Sequence, residues 1–473
     1  MSTKELKKLT IAEASALIEK KAISPVELTK VYLDRIDETE DELNSFTKVY
    51  KNEALSVAEG LEKMQMAGHL LGPLHGLPIA IKDNVAEKGK PNPGGGKVLE
   101  NYIANKDANV LKRLKSSGAV IIGRVNMHEL AYGTTTDNPH YGVSRNPWDS
   151  TRFASGSSGG SGASVANGTS LCALGTDTGS SVRTPAAING VVGMRPTLGR
   201  VSTEGIVPLA WTFDTCGPLT RTVRDNAIMF NVLAGVEYTD PASSDKPVPD
   251  YTKDLNYDAK NFRIGIIPDI LFKQDEPDVI KAVQSALDFY KSLGATIVEF
   301  SSEHLGYHST STMTNIITGV EAATWHQQLI RDHPEDYGLD CRGLIQAAGF
   351  LPGTAYVNAE RCRRLLMEEF HEAFKTIDFF LMPTIPFTAL PVGNYDLVIN
   401  GQKMDFLELS LTYTCIASIA ALPAISVPCG LDSKGLPIGL MLMGRPFGEA
   451  TLYRAAAAVE DKVRIHEQLP FLK

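Results

Sequence analysis

From residue 77 onward, short apolar runs alternate with stretches of helical character. The runs are 77–81, 119–123, 170–175, 262–267, 295–300, 379–382, 424–428 and 438–444. Strands that interleave with helices predict an α/β fold: a mixed, largely buried β-sheet covered by helices on both faces. Apolar residues make up 43% of the 473-residue chain and charged residues 21%, enough for a sizeable core. The first sixty residues read as helical. Capping boxes mark two starts, Thr10 with Glu13 and Ser24 with Glu27, and Pro25 follows Ser24 at the first helical position. Leu28, Val31, Tyr32 and Ile36 form an apolar stripe on the second helix. Residues 160–168 predict a helix of very small side chains, low in propensity but able to lie hard against a neighbouring backbone. The polar, turn-rich stretch from about 235 to 260 reads as the passage into a peripheral lobe.

Charge and thiol usage narrow the function classes. Lys plus Arg number 46 against 55 Asp plus Glu, a net charge of −9, and no basic block stands out, which argues against a nucleic-acid partner. No apolar core follows the lysines near the N-terminus, and no run of about 18 apolar residues occurs, so neither export nor a membrane partner is expected and a cytoplasmic location is. Six cysteines are scattered without a C-x-x-C pair and read as reduced core thiols. His371-Glu372-Ala373-Phe374-Lys375 begins like a zinc helix but lacks its second histidine, and no catalytic metal is expected.

Two glycine- and serine-rich segments carry the chemistry: Gly156-Ser157-Ser158-Gly159-Gly160-Ser161 and Gly175-Thr176-Asp177-Thr178-Gly179-Ser180-Ser181-Val182-Arg183. A lysine precedes them in Gly76-Leu77-Pro78-Ile79-Ala80-Ile81-Lys82-Asp83-Asn84. A serine hydroxyl is a weak nucleophile until a neighbouring base takes its proton, and a neutral lysine amine can be that base. Glycines let backbone N–H groups approach a developing oxyanion. Gly156-Ser157-Ser158-Gly159-Gly160 also satisfies G-x-S-x-G with Ser158 at its centre, but none of His304, His308, His326, His333, His371 and His466 has the context of a triad partner. A phosphate loop is weaker still, because no Gly-Lys-Ser/Thr follows.

The three segments resemble those of the amidase signature family of serine hydrolases, in spacing as well as letters. Ser157 and Ser181 are 24 positions apart (181 minus 157), and Lys82 and Ser157 are 75 apart (157 minus 82). The likeness continues through Arg183-Thr184-Pro185-Ala186-Ala187, Gly190 to Thr197, Gly217-Pro218-Leu219-Thr220-Arg221 and Leu422 to Gly430, and so runs from about residue 10 to 460. It implies one domain over 1–473, with 1–60 a helical segment packed on the core and about 235–375 a peripheral lobe of the same domain.

By this resemblance Ser181 is the nucleophile, Ser157 relays its proton, and Lys82 is the neutral acceptor. Backbone N–H groups of Thr178, Gly179, Ser180 and Ser181 form the oxyanion hole, a cis peptide precedes Ser157, and Ser158, Asp177 and Arg183 support the site. The implied reaction is hydrolysis of a small-molecule amide or carbamate through an acyl-enzyme, without a cofactor; a homodimer is a family-level expectation only. Ala154-Ser155 and Ser180 depart from the usual Pro-Gly and Gly. The alternatives are a glutaminase subunit of a tRNA-dependent amidotransferase and a urethanase or imide-hydrolase specialisation. In the glutaminase branch an arginine and an aspartate hold the glutamine; Arg363 matches the former, but Leu411 falls near the latter, which favours a free-standing hydrolase. Met127, Tyr132, Met313, Ile316 and Tyr413 are the expected pocket walls.

Overall fold

The computed structural model describes residues 3–253, 255, 259–306 and 309–470. One mixed sheet of eleven strands forms its centre: β1 (Phe46–Val49), β2 (Pro78–Lys82), β3 (Val120–Val125), β4 (Cys172–Asp177), β5 (Val192–Arg195), β6 (Thr215–Thr220), β7 (Arg263–Ile266), β8 (Thr296–Glu299), β9 (Phe379–Pro383), β10 (Ala424–Leu431) and β11 (Pro437–Gly444), in the spatial order β1-β3-β2-β4-β6-β5-β10-β11-β9-β7-β8. Parallel pairing joins β3, β2 and β4, and again β9, β7 and β8; the pairs between and at the β1 edge are antiparallel. This is the mixed α/β architecture expected, and all eight apolar runs are strands of that sheet.

Both N-terminal helices start where their caps predict. In α1 (Ile11–Glu19) and α2 (Pro25–Leu43) the capping side chains and the backbone bond reciprocally, Glu13 N to Thr10 Oγ1 at 3.1 Å and Glu27 N to Ser24 Oγ at 3.1 Å. The stripe of α2 is buried: Leu28, Val31 and Tyr32 join the core that contains Ile79 and Ile81, and Ile36 the core that contains Ala80 and Val120. The first sixty residues are not wholly helical, since β1 closes one edge of the sheet. The opposite edge is built from the stretch expected as a peripheral lobe. There β7 and β8 lie parallel, with Arg263 paired to Thr296, and continue the sheet.

The small-residue helix α3 (Gly159–Ala166) is buried along its whole length. A Cβ on Gly160 would stand 2.4 Å from the Asn126 carbonyl oxygen and 2.5 Å from that of Ser45, so the helix can approach the end of β3 only because this position carries no side chain. Its partner α4 (Arg183–Asn189) packs against it, with a Cβ on Gly162 falling 3.0 Å from the Pro185 carbonyl oxygen. No helix among the described residues is long and apolar enough to cross a membrane.

Candidate active site

Lys82 ends β2 and is fully buried. Its Nζ stands 2.8 Å from each of three hydroxyl oxygens, Ser157 Oγ, Ser158 Oγ and Thr176 Oγ1. The parallel pairing of β2 with β4 brings Thr176 to the lysine, and the start of α3 supplies the serines. Burial disfavours the ammonium form and, against the opposing field of Asp177, lowers the amine from 10.5 to about 7. Hydroxyl neighbours are compatible with either charge state: they accept from an ammonium, and one can donate to the lone pair of the amine.

The peptide bond between Gly156 and Ser157 is cis. Two backbone contacts fix this loop, His128 N donating to Ser157 O at 3.0 Å and Gly159 N to Thr136 Oγ1 at 3.1 Å. Ser155, in place of the usual glycine, takes a left-handed φ of 61°. The loop that carries Ser181 lies alongside: Thr184 Oγ1 stands 3.2 Å from both the Gly156 and Ser180 carbonyl oxygens, so one hydroxyl bridges the residues that precede the two serines.

Asp177, the last residue of β4, organises the turn into α4. Its Oδ2 accepts from Val182 N at 3.1 Å and Arg183 Nε at 2.9 Å; Oδ1 accepts from Arg183 Nη2 at 2.8 Å and Arg195 Nη1 at 3.0 Å. Burial acts to raise this carboxyl, but the Arg183 and Arg195 guanidiniums outweigh it and hold it well below the usual carboxylate range. Arg183 also donates to the Gly179 and Thr414 carbonyls, at 2.8 and 2.7 Å, leaving the N–H side of the 178–181 turn turned elsewhere. Among the described residues no acceptor pairs with the N–H of Thr178, Gly179, Ser180 or Ser181. Such unengaged donors are what an oxyanion hole requires.

A cavity of about 270 Å³ opens onto this turn. Thr178, Gly179, Ser180 and Ser181 form its floor, Ala131 to Thr134 one side, and Leu209, Leu351 and three helices the rest: α5 (Ser309–Asp332), α6 (Leu339–Ala348) and α7 (Phe406–Leu411). None of its lining side chains is charged. Of the five expected wall residues only Tyr132 lines it. Met127 packs with Leu209 and Ala322 in a small buried cluster, Met313 and Ile316 face the core around Phe370 and Ile416, and Tyr413 donates to Asp275 Oδ2 at 2.7 Å. On α5 the neighbouring face, with Thr314, Asn315 and Thr318, meets the cavity instead. Arg363 is not in the wall either. Its donors go to the Ile419 and Thr212 carbonyls, both at 2.9 Å, and to Glu360, and its guanidinium lies over the Phe213 ring.

The sequence pattern of the amidase family matches residues 27–453. The chain belongs to the amidase signature family. Among similar amidase proteins, a glutamyl-tRNA(Gln) amidotransferase subunit from Anaeromyxobacter dehalogenans is 39% identical, with 98% of each chain covered. The solved structure of the corresponding Thermotoga maritima protein is 31% identical with a TM-score of 0.82, over 97% of this chain and 95% of the other. A bacterial aryl acylamidase of the amidase signature family is 27% identical with a TM-score of 0.89, over 98% and 99%. The chain is thus an amidase signature enzyme. The expectation that no nucleic acid is involved finds no support in these relatives, since two of the three are subunits of an enzyme named for a tRNA.

Sequence reading passed over Thr176, Thr184, Arg195 and Asp214. Thr176 lies within a quoted segment, and Arg195 and Asp214 lie within or beside others, but nothing in their spacing marks them.

Proposed function

We propose that the chain hydrolyses the C–N bond of a small uncharged amide or carbamate through an acyl-enzyme on Ser181. The observation that carries this reading is a buried lysine amine, brought near neutrality and held 2.8 Å from Ser157, beside a cavity that has Ser181 on its floor and no charged side chain in its wall. Lys82 accepts the Ser157 proton as Ser157 takes that of Ser181, whose Oγ adds to the carbonyl carbon. The N–H groups of Thr178 to Ser181 receive the oxyanion, for which each donor is typically worth about 10²–10³ in rate. On collapse the proton returns through Ser157 to the departing nitrogen, and water then repeats the sequence on the acyl ester.

A second reading, a glutaminase subunit of an amidotransferase, is favoured by the 39% identity to the Anaeromyxobacter protein. Glutamine carries an ammonium and a carboxylate that a binding site must pair when it removes them from water. The uncharged wall, Leu411 within it, and an Arg363 committed to carbonyls all favour the first reading.

The experiment is a hydrolysis screen of aliphatic amides, anilides, cyclic imides, alkyl carbamates and glutamine, read by ammonia and amine release, with intact-mass analysis after phenylmethanesulfonyl fluoride. An uncharged amide or carbamate turned over and one adduct lost in Ser181→Ala are expected. Glutamine as the sole substrate, with a tRNA-binding protein copurifying from the native host, would establish the second reading. An adduct that survives Ser181→Ala would overturn both.

A further inference from the structure

Asp214 immediately precedes β6, which runs antiparallel to β4 with Thr215 opposite Asp177. Continuing that register sets Asp214 across from Thr178, the first residue of the cavity floor. The bonds there are specific: Thr178 Oγ1 donates to Asp214 Oδ1 at 2.6 Å, while Oδ2 accepts from Leu209 N at 2.8 Å and Ala210 N at 3.1 Å. Leu209 lines the substrate cavity. One carboxylate therefore ties the floor strand to the wall.

A second brace runs in parallel. Arg195 Nη1 donates to the Thr178 carbonyl at 3.3 Å and Nη2 to the Phe213 carbonyl at 2.8 Å, joining the same two segments one residue away. Asp214 makes no contact with Lys82, Ser157 or Ser181 among its hydrogen bonds. An ionised carboxylate offers only acceptors and matches the three donors that face it.

We propose that Asp214 is a positioning residue for the reaction, acting through Thr178 to hold the backbone donors of the 178–181 turn at the distance from the Leu209 wall that a bound acyl group requires. This rests on the reading of Ser181 as the nucleophile. Displacement of a reacting geometry by about 1 Å can cost about 10²-fold in rate, so a partial loosening should cost about tenfold. Asp214→Asn turns an N–H₂ group toward Thr178 Oγ1 and leaves the hydroxyl proton without its acceptor. Thr178→Val removes the same bond from the other side, and Thr178→Ser keeps it.

Sulfonylation of Ser181 by phenylmethanesulfonyl fluoride tests this without the natural substrate. The maximal rate constant and the half-saturating concentration are measured separately, and the active fraction is counted by mass spectrometry. Thr178→Val and Asp214→Asn are each expected to lower the maximal rate constant about tenfold while moving half-saturation less than about twofold. Thr178→Ser should stay within about threefold, and the double variant Thr178→Val with Asp214→Asn should be no slower than the slower single. If Asp214→Asn does not fold, the contrast between the valine and serine variants decides by itself. Equal rates in Thr178→Val and the unsubstituted protein, or losses that multiply in the double variant, would overturn the inference. No label on Ser181 in the unsubstituted protein would instead overturn the reading of the site, and this inference with it.

Discussion

The pH profile of Ser181 reactivity follows from the burial of Lys82 and can be worked in advance. An amine at its ordinary value of 10.5 is about 0.1% neutral at pH 7.5, whereas one at about 7 is about 75% neutral. At pH 5 the lowered amine is only about 1% neutral. The rate constant for sulfonylation should therefore fall about 75-fold between pH 7.5 and pH 5, steepening to about tenfold per pH unit below pH 6, and should level off above about pH 8. The sign is that of a general base: activity is present above the folded-state value and lost as the pH falls through it. Lys82→Met removes the acceptor, and with it about 10³-fold or more of the plateau rate together with the acid limb. The assay is the concentration dependence of phenylmethanesulfonyl fluoride labelling across pH 5–10, each point paired with circular dichroism to exclude unfolding. A rate that keeps climbing tenfold per unit through pH 9 would mean a solvated lysine with ordinary basicity. A Lys82→Met protein that retains the limb would mean that another group is the base.

Asp177→Asn leaves the buried Arg183 and Arg195 guanidiniums without their shared anion and should cost about 3–5 kcal/mol in chemical denaturation at neutral pH; a loss under about 1 kcal/mol would contradict the account of the turn. Gly160→Ala forces a Cβ to 2.4 Å from a backbone oxygen that has little room to move, so its soluble yield should collapse or its stability fall by about 2 kcal/mol or more, read by thermal denaturation. Leu344→Asp, at a partly exposed position of the cavity wall, should raise KM for anilides about tenfold with kcat little changed, and an unchanged KM would exclude that wall from binding.

Most of the strands that sequence reading located are those whose apolar residues are contiguous because both faces of the strand are covered, as in β2, β3, β4, β9 and β11. It passed over β1, β5 and β6 for identifiable reasons. Phe46-Thr47-Lys48-Val49 is an amphipathic edge of four residues; β5 holds Gly193 and Arg195, and β6 holds Gly217 and Pro218, letters that normally argue against a central strand. A Cβ on Gly217 would fall 1.8 Å from the Met194 carbonyl oxygen, so the glycine that weakens the strand signal is what lets β6 sit beside β5. That Lys82 meets Ser157 and that Ser181 borders the cavity were legible because motif spacing marks these positions. The wall was not: α5 offers apolar side chains on several faces, and which of them meets the cavity depends on a helix rotation that composition does not specify. Met313 and Thr314 are neighbours in sequence, yet the first enters the core and the second the cavity.

The groups assigned to bond cleavage come from residues 82–181, at the end of β2, just before α3 and just after β4, whereas much of the cavity wall comes from 309–351, between β8 and β9, and from 407–411, between β9 and β10. Recognition and reactivity are thus written in separable stretches of the chain. Exchanging the later stretch can redirect which molecule is admitted while the lysine, its hydroxyl neighbours and the arginine-clamped turn stay untouched, a division that lets one reactive centre serve many substrates.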